Sequence, residues 1–379
     1  MAEDLSTYPF PLSKRIEMAF GKALMTVLRW FVSRRRVLPA RYSFEFARVL
    51  LLRQNQIGDT LVSTPVFAAL KHKHPNMILD VVLDRRNRSV LDGDTNIRHR
   101  YILKQKFLDI FSIISRIRKV RYDFIVDLIH TPSTTSTLIC LFAKARYTVG
   151  FIRDNDFIYD IKIPLQTERG MRMALAEVLR VFGIVPKSEM LQPYYHLTPE
   201  SVAFAERVTA ALRQDESRRD KTVQLVGVNI SASAAEKFWG EDNFINLISH
   251  LKTHYPQAVA VILCSKDYRE AAERIAERSG AVVSEETKTL SDFAAMISKM
   301  DFLITPDSAA THFGDIFRVP EVILTNNRAW VKEWYPSFTK FSELHSADDY
   351  ISSIPFAGVA AAVDAMMAGV LEEGKIKSS

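Results

Sequence analysis

The sequence predicts an α/β protein built from two doubly wound, parallel-sheet domains in tandem. Three observations carry that reading. From residue 47 onward, short apolar runs alternate with helix-length stretches of mixed polarity, the pattern of strands joined by crossover helices. At 185–201 the alternation stops in "VPKSEMLQPYYHLTPES", a polar passage with three prolines that suits a linker. A second α/β series follows, and 379 residues are enough for two domains with a core each.

In chain order, the first element is a helix over 12–36, "LSKRIEMAFGKALMTVLRWFVSRRR", with seven basic residues and one acid. The formal charge of the whole chain is +6, so the remainder sums to zero. Leu12, Ile16, Phe20, Leu24, Leu28 and Phe31 make one apolar stripe, which can lie on an anionic membrane surface or pack on the body of the protein. Glu17 and Lys22 interrupt any apolar core of a secretory signal, so no signal peptide is expected. Residues 1–46 form a basic extension, 47–197 a first domain, 198–349 a second and 350–379 a C-terminal helix.

In the first domain, strands are expected at Arg48–Leu52, Leu79–Leu83, Tyr101–Leu103, Phe124–Leu128 and near Tyr147–Gly150. Helices are expected at about 64–74, 107–119 and 171–183, with another opening in "TPSTTSTLICLFAKA". In the second, strands are expected at Gln224–Ile230, Ala258–Leu263, Phe302–Ile304 and Glu321–Leu324. Its helices fall at about 241–254, 267–279 and 291–299, and the tail helix at about 355–371.

Composition is that of an ordinary globular protein, 47% hydrophobic and 25% charged. Cys140 and Cys264 lie far apart in apolar surroundings and read as small buried hydrophobes in a reducing compartment. No run of about 18 uncharged apolar residues occurs, so no membrane span is expected. Neither G-x-G-x-x-G nor a Walker lysine loop is present. Asp92-Gly93-Asp94 has the form of an acidic pair that could hold a divalent metal, but "LDGDTN" equally reads as a turn.

Three segments carry candidate chemistry. In "LRQNQIGDTLVSTP" (52–65), Asp59 sits at a tight turn beside Thr60, Ser63 and Thr64. It is either a helix cap or a base where a strand edge opens onto a crevice. "NISASAAEKFWGEDNF" (229–244) offers Ser231, Ser233 and Lys237 past a strand end, with surface lysine as the bland alternative. "MDFLITPDSAATHFGDIFRVPEVILT" (300–325) ends a strand in Pro306-Asp307-Ser308 and opens a helix of small residues. There a phosphate can approach backbone N–H groups, or the helix is merely close-packed with Asp307 or Ser308 as its cap. Asp267, after strand Ala258–Leu263, is placed to hold a ribose hydroxyl by analogy with nucleotide folds. The basic runs "RRNR" (85–88) and "RIRKVR" (116–121) would suit a phosphorylated glycolipid, though either alone reads as solvated surface.

Order and spacing of these segments resemble glycosyltransferase family 9, the ADP-heptose:lipopolysaccharide heptosyltransferases. "QIGDTLVSTPVFAALKHKHP" is similar to its N-terminal signature, "EKFWGEDNF" to its lysine-aromatic-tryptophan segment, and "TPDSAATHFGDIFRVPEVIL" to its Asp-Ser-Gly-x-x-His signature. "YDFIVDLIHTPSTTS" resembles its third-strand region. The likeness covers about 46–345. It implies a GT-B fold and inverting transfer with no obligatory metal or other cofactor. It also implies an ADP-sugar donor and a lipid-linked core oligosaccharide as acceptor; no nucleic-acid partner is expected.

Carried over, Asp59 would be the base on the acceptor hydroxyl and Lys237 would neutralise the departing diphosphate. Ser231, Ser233, Asp307, Ser308 and Ala309 would line the donor site, with His312 on the helix behind them. Two places depart from the family: Ala309 stands where glycine is expected, and "TNNRAW", including Thr325-Asn326-Asn327, replaces a Gly-Pro-Thr-like turn. They keep open another donor or acceptor, or a catalytically silent GT-B binding protein. The expected location is cytoplasmic, peripheral on the inner face of the inner membrane.

Overall fold

The computed structural model describes residues 26, 28–30, 32, 36–104, 108–213, 223–326 and 329–377. Most of the helix expected at 12–36 lies outside the described residues, as does Asn327.

The first sheet has six parallel strands in the order β3-β2-β1-β4-β5-β6. They are β1 (Arg48–Leu52), β2 (Ile78–Asp84), β3 (His99–Leu103), β4 (Phe124–Asp127), β5 (Tyr147–Phe151) and β6 (Ile161–Ile163). Val49–Leu52 are fully buried, because a central parallel strand is covered on both faces. The helices are α1 (Ile57–Lys73), α2 (Leu108–Val120), α3 (Thr134–Phe142) and α4 (Met171–Ala176), which runs on as a 3-10 turn Glu177–Phe182.

The second sheet is also six-stranded and parallel, in the order β12-β11-β10-β7-β8-β9. Its strands are β7 (Gln224–Asn229), β8 (Ala258–Leu263), β9 (Val282–Val283), β10 (Phe302–Pro306), β11 (Glu321–Thr325) and β12 (Phe341–His345). They alternate with α5 (Pro199–Arg213), α6 (Glu241–His254), α7 (Arg269–Ser279), α8 (Leu290–Ser298), α9 (Ala309–Phe317) and the closing α10 (Phe356–Lys377). Both sheets share one winding. In each the first strand lies between the second and the fourth, so the order reverses between β1 and β4 and again between β7 and β10. Those two reversal points open crevices at the strands' carboxyl ends, where ligands of such folds bind.

α1 departs from expectation. It begins at Ile57, not near residue 64, so Thr60, Ser63 and Thr64 lie inside the helix and are buried. Pro65 is inside it as well. A proline there leaves the carbonyl four residues back without its N–H, and the Thr64 hydroxyl donates to that Leu61 carbonyl at 2.8 Å. Tyr194 N of the linker in turn donates to Thr64 Oγ1 at 3.0 Å.

One apolar cluster runs through α1, one face of the first sheet and α4, and continues into the second domain through Leu225, Ala294 and Phe313. α2 and α3 cover the opposite face of the first sheet with a separate cluster, including Ile113, Ile117 and Ile139. α1 therefore faces the second domain and the α2–α3 layer faces away.

Candidate functional site

On the first-domain side, Arg53 follows directly on β1 and is fully buried. Its Nε donates to the Asp59 carbonyl at 2.9 Å, a second nitrogen donates to the Leu128 carbonyl, and NH2 stands 3.4 Å from Asp59 Oδ1. The loops after β1 and β4, the two sides of the reversal point, are thereby tied together. Burial lowers the Arg53 pKa, while the nearby Asp59 and Asp127 carboxylates oppose the drop.

Asp59 occupies the first turn of α1 and accepts from Gln56 N at 3.2 Å and Asn55 Nδ2 at 3.5 Å. Its side chain is 12% exposed. It is thus the N3 partner of a capping box whose N-cap is Gln56, and it still reaches solvent. The three hydroxyls beside it serve the backbone instead: Thr60 donates to the Gln56 carbonyl at 3.3 Å and Ser63 to the Asp59 carbonyl at 2.9 Å. Asn87 Nδ2 locks the same turn, donating to Thr60 Oγ1 at 2.7 Å and to the Arg53 carbonyl at 2.6 Å.

After β4, Asp127 Oδ2 takes Arg153 NH2 at 2.7 Å and the Tyr159 hydroxyl at 2.8 Å, which fixes the loop carrying His130. Burial and the adjacent Arg53 guanidinium push the His130 pKa down to about 4, so its ring is neutral.

On the second-domain side, Lys237 ends a 3-10 turn Ala235–Lys237, and its Nζ reaches Asp307 Oδ2 at 2.6 Å. Both side chains are only partly covered, 18% and 21% exposed. Ser308 caps α9 by accepting from Ala310 N at 3.2 Å. Asn229, the last residue of β7, donates to Thr305 Oγ1 at 2.9 Å and Ser308 Oγ at 3.3 Å, and accepts from Ser231 N at 3.1 Å. Ser231 Oγ accepts from Ser265 N at 2.6 Å, which joins the loops after β7 and β8. Lys237, Asp307, Ser308 and Ser231 thus gather around the β7–β10 reversal point, with Ala309 as the first residue of α9. Ser233 and Asp267 are exposed on the same rim, and Asp267 lies on a 3-10 turn, Lys266–Tyr268.

His312 lies on α9, the helix that Ser308 caps. It projects from α9 across the seam between domains, where a Cβ on Gly58 would stand 2.3 Å from its ring. Burial lowers its pKa against the pull of Asp307 and Asp59, so a neutral imidazole stands between those two carboxylates. Trp334 lies near both histidines, tilted against His130 at 5.5 Å between ring centroids and edge-on to His312 at 6.4 Å.

The seam is pinned further out by Arg172 NH1 on Asp315 Oδ2 at 3.2 Å and Thr167 Oγ1 on Glu333 Oε1 at 2.6 Å. Sequence reading missed Arg53, Asn229, His130 and Trp334. The first two carried a signal, a polar side chain directly after an apolar run of at least four residues.

The Asp92–Asp94 pair does not converge. Asp92 pairs with Arg100 at 2.8 Å, whereas Asp94 is buried and accepts from the Tyr194 hydroxyl at 2.8 Å. Gly93 has φ +78°, a turn glycine. Among the described residues no three His, Cys, Asp or Glu side chains gather as a metal site, and no helix is long and apolar enough to cross a membrane.

Comparison with known proteins gives a consistent picture. The profile of the family described as Glycosyltransferase family 9 (heptosyltransferase) matches residues 110–324. Lipopolysaccharide heptosyltransferase 3 of Escherichia coli K12 is 22% identical over 343 residues, covering 82% of this chain and 95% of that protein. Among solved structures, a family 9 glycosyl transferase from Veillonella parvula superposes with a TM-score of 0.72 at 18% identity, covering 87% of this chain and 99% of that one. The Escherichia coli ADP-heptose lipopolysaccharide heptosyltransferase II gives 0.66 at 17% identity, with 86% and 99% covered. An Escherichia coli heptosyltransferase solved with ADP-2-deoxy-2-fluoro heptose gives 0.64 at 15% identity, with 84% and 99% covered.

Proposed function

The chain belongs to glycosyltransferase family 9 and has the GT-B fold, and from that premise we propose that it moves a heptose from ADP-heptose to a lipopolysaccharide core acceptor with inversion. The observation that supports the reading best is the His312–Gly58 approach. It sets the Asp59 carboxylate and the Lys237–Asp307 pair on opposite sides of one seam, each at its own sheet's reversal point.

Inverting displacement at an anomeric carbon asks for a carboxylate on the acceptor's side and fixed positive charge on the leaving group's side. Asp59 takes the acceptor proton as the new C–O bond forms. Arg53, Gln56 N and Asn55 hold its carboxylate in one orientation. Lys237 and the first turn of α9 receive the charge that gathers on the diphosphate as the C–O bond to it breaks. Asp307 holds the lysine amine at 2.6 Å, and Asn229 orients Ser308. No step in this scheme calls on a metal.

Arg85, Arg86 and Arg88 are exposed just past β2, on the Asp59 side of the sheet, where phosphates of an acceptor would lie. In this reading the basic segment 12–36 contacts an anionic membrane surface, the cytoplasmic face of the inner membrane. Asp59→Asn separates the base from the capping contact, because the asparagine carbonyl oxygen can still accept from Gln56 N. Turnover is expected to fall by about 10²–10⁴ with folding and donor binding retained; wild-type turnover at saturating donor and acceptor would exclude Asp59 as the base.

Two features favour a second reading, a different nucleotide-sugar donor. Ala309 opens α9 in place of glycine, and just past β11 the buried Asn326 side chain has an amide nitrogen without a partner among the described residues. Melting shifts with ADP and UDP discriminate the two, since a bound ligand raises apparent stability.

A further inference from the structure

The first domain carries a second polar concavity, at the end of its sheet opposite Asp59. It measures about 590 Å³ and is lined by Arg36, Arg118, Arg121, Lys144, Arg146 and Asp123, among others. α2 and α3 both run back from the carboxyl edge and end here, while β4 and β5 start here. The length of α2, about 20 Å for a helix of its size, separates the concavity from the cleft. The basic run 116–121 therefore lies at the far end of α2 from the cleft.

Five cations face one carboxylate, and Asp123 is already engaged by the Tyr42 hydroxyl at 3.1 Å and Arg48 N at 2.9 Å. The two helix C-termini add about half a negative charge each, which leaves an excess of about three positive charges. Nearby carbonyls have donors of their own: Arg36 NH1 donates to those of Ala145 and Arg146 at 3.1 and 2.7 Å, and Arg48 NH1 to that of Val120 at 2.9 Å. Arg118, Arg121 and Lys144 are exposed and are not the donors in those contacts.

Arg121 and Lys144 adopt left-handed backbone, φ 57° and 58°, just past the ends of α2 and α3, where glycine is the default. A side chain there costs about 1–2 kcal/mol, so the fold carries two long cations at positions that disfavour them. Exposed apolar side chains adjoin the lining at Phe142, next to Leu141, and at Val37, next to Arg36, and a third, Phe111, lies further back along α2. Phe111 is 67% exposed, Phe142 46% and Val37 85%, and Phe111 and Arg118 sit two turns apart on one side of α2. This layer faces away from the second domain. Cations interleaved with exposed aromatic residues suit a bilayer's interfacial layer.

We propose that this concavity binds the phosphate of anionic lipid headgroups, with Phe111, Phe142 and Val37 entering the headgroup layer. The test is co-sedimentation of the full chain with phosphatidylcholine vesicles, with and without phosphatidylglycerol. Arg118→Gln/Lys144→Gln is compared with the distant pair Lys187→Gln/Lys252→Gln. Each cation near such a surface is worth about 1 kcal/mol, so the first pair should weaken binding to the anionic vesicles about 25-fold and the distant pair should do so far less. Transfer to a soluble acceptor should be unchanged in the first pair, which keeps the result independent of the activity proposed above. Equal binding by wild type and the first pair overturns the proposal. So does a loss of inorganic phosphate binding in solution with vesicle binding intact.

Discussion

A Cβ at residue 58 would stand 2.3 Å from the His312 ring, so Gly58→Ala must push the histidine aside. Overpacking of this kind costs about 1–3 kcal/mol. Turnover should fall with it, because the seam no longer closes as built. His312→Ala in the same chain should restore urea stability; a double variant no better than Gly58→Ala would place the strain elsewhere.

Lys237→Ala should lower turnover more than donor affinity, since leaving-group charge grows in the transition state. Steady-state kinetics with unchanged turnover would remove Lys237 from the site.

Glu321 opens β11 fully buried, neither carboxylate oxygen has a hydrogen-bond partner among the described residues, and burial, then Asp315, raises its pKa well above the ordinary value. The folded protein holds that proton to a higher pH than the unfolded chain does. Its contribution to stability is therefore present at acid pH and is lost as pH rises from the ordinary carboxylate value through the folded one. The loss has a limiting slope of about 1.4 kcal/mol per pH unit. Glu321→Gln should flatten that dependence in urea melts taken from about pH 5 to about pH 8.

At the scale of the element, α1 shows how a helix can cross a proline. The Thr64 hydroxyl serves the Leu61 carbonyl that Pro65 leaves free and also accepts from Tyr194 N. Thr64→Val should cost about 1–3 kcal/mol through the buried groups left unpaired. Adding Pro65→Ala supplies the missing N–H to Leu61 and should recover part of the loss in thermal melts. No recovery would mean that the Tyr194 contact accounts for the whole effect.

For the whole molecule, the domains meet through a shared apolar cluster and a small polar clamp. Asp315 Oδ1 accepts from the backbone amides of Ser337, Phe338 and Thr339 at 2.9, 2.6 and 3.1 Å, while Oδ2 meets Arg172 of α4. Asp315→Ala leaves a largely buried guanidinium and three amides unpaired, with an expected loss of about 3–5 kcal/mol. Arg172→Met should cost less, because the three amides still hold the carboxylate. Chemical denaturation of both variants gives that order, or its reversal shows that the arginine is the element holding the seam.

Much of this was legible in sequence because it is local. The interior strands β1 and β8 fell where apolar runs flanked by turn residues put them, since a strand covered on both faces has few other solutions. The two crevices could be placed too, because winding fixes which strand ends face them. The weak edge strands β6, β9 and β12 and helix α5 escaped, being short, half polar or hidden behind linker prolines. The start of α1 was misplaced because Pro65 reads as a helix opening until Thr64 is seen to stand in for its N–H.

Composition and motif named the residues Asp59, Lys237, Asp307 and Ser308. Only the tertiary structure decided that Lys237 and Asp307 pair, that His312 reaches across to Gly58, and that the cations of 116–121 sit at the other end of α2 from the cleft. Those facts depend on how two domains pack and on which end of a sheet a helix terminates. A one-dimensional pattern holds the period of each element but not the distance between elements far apart in the chain.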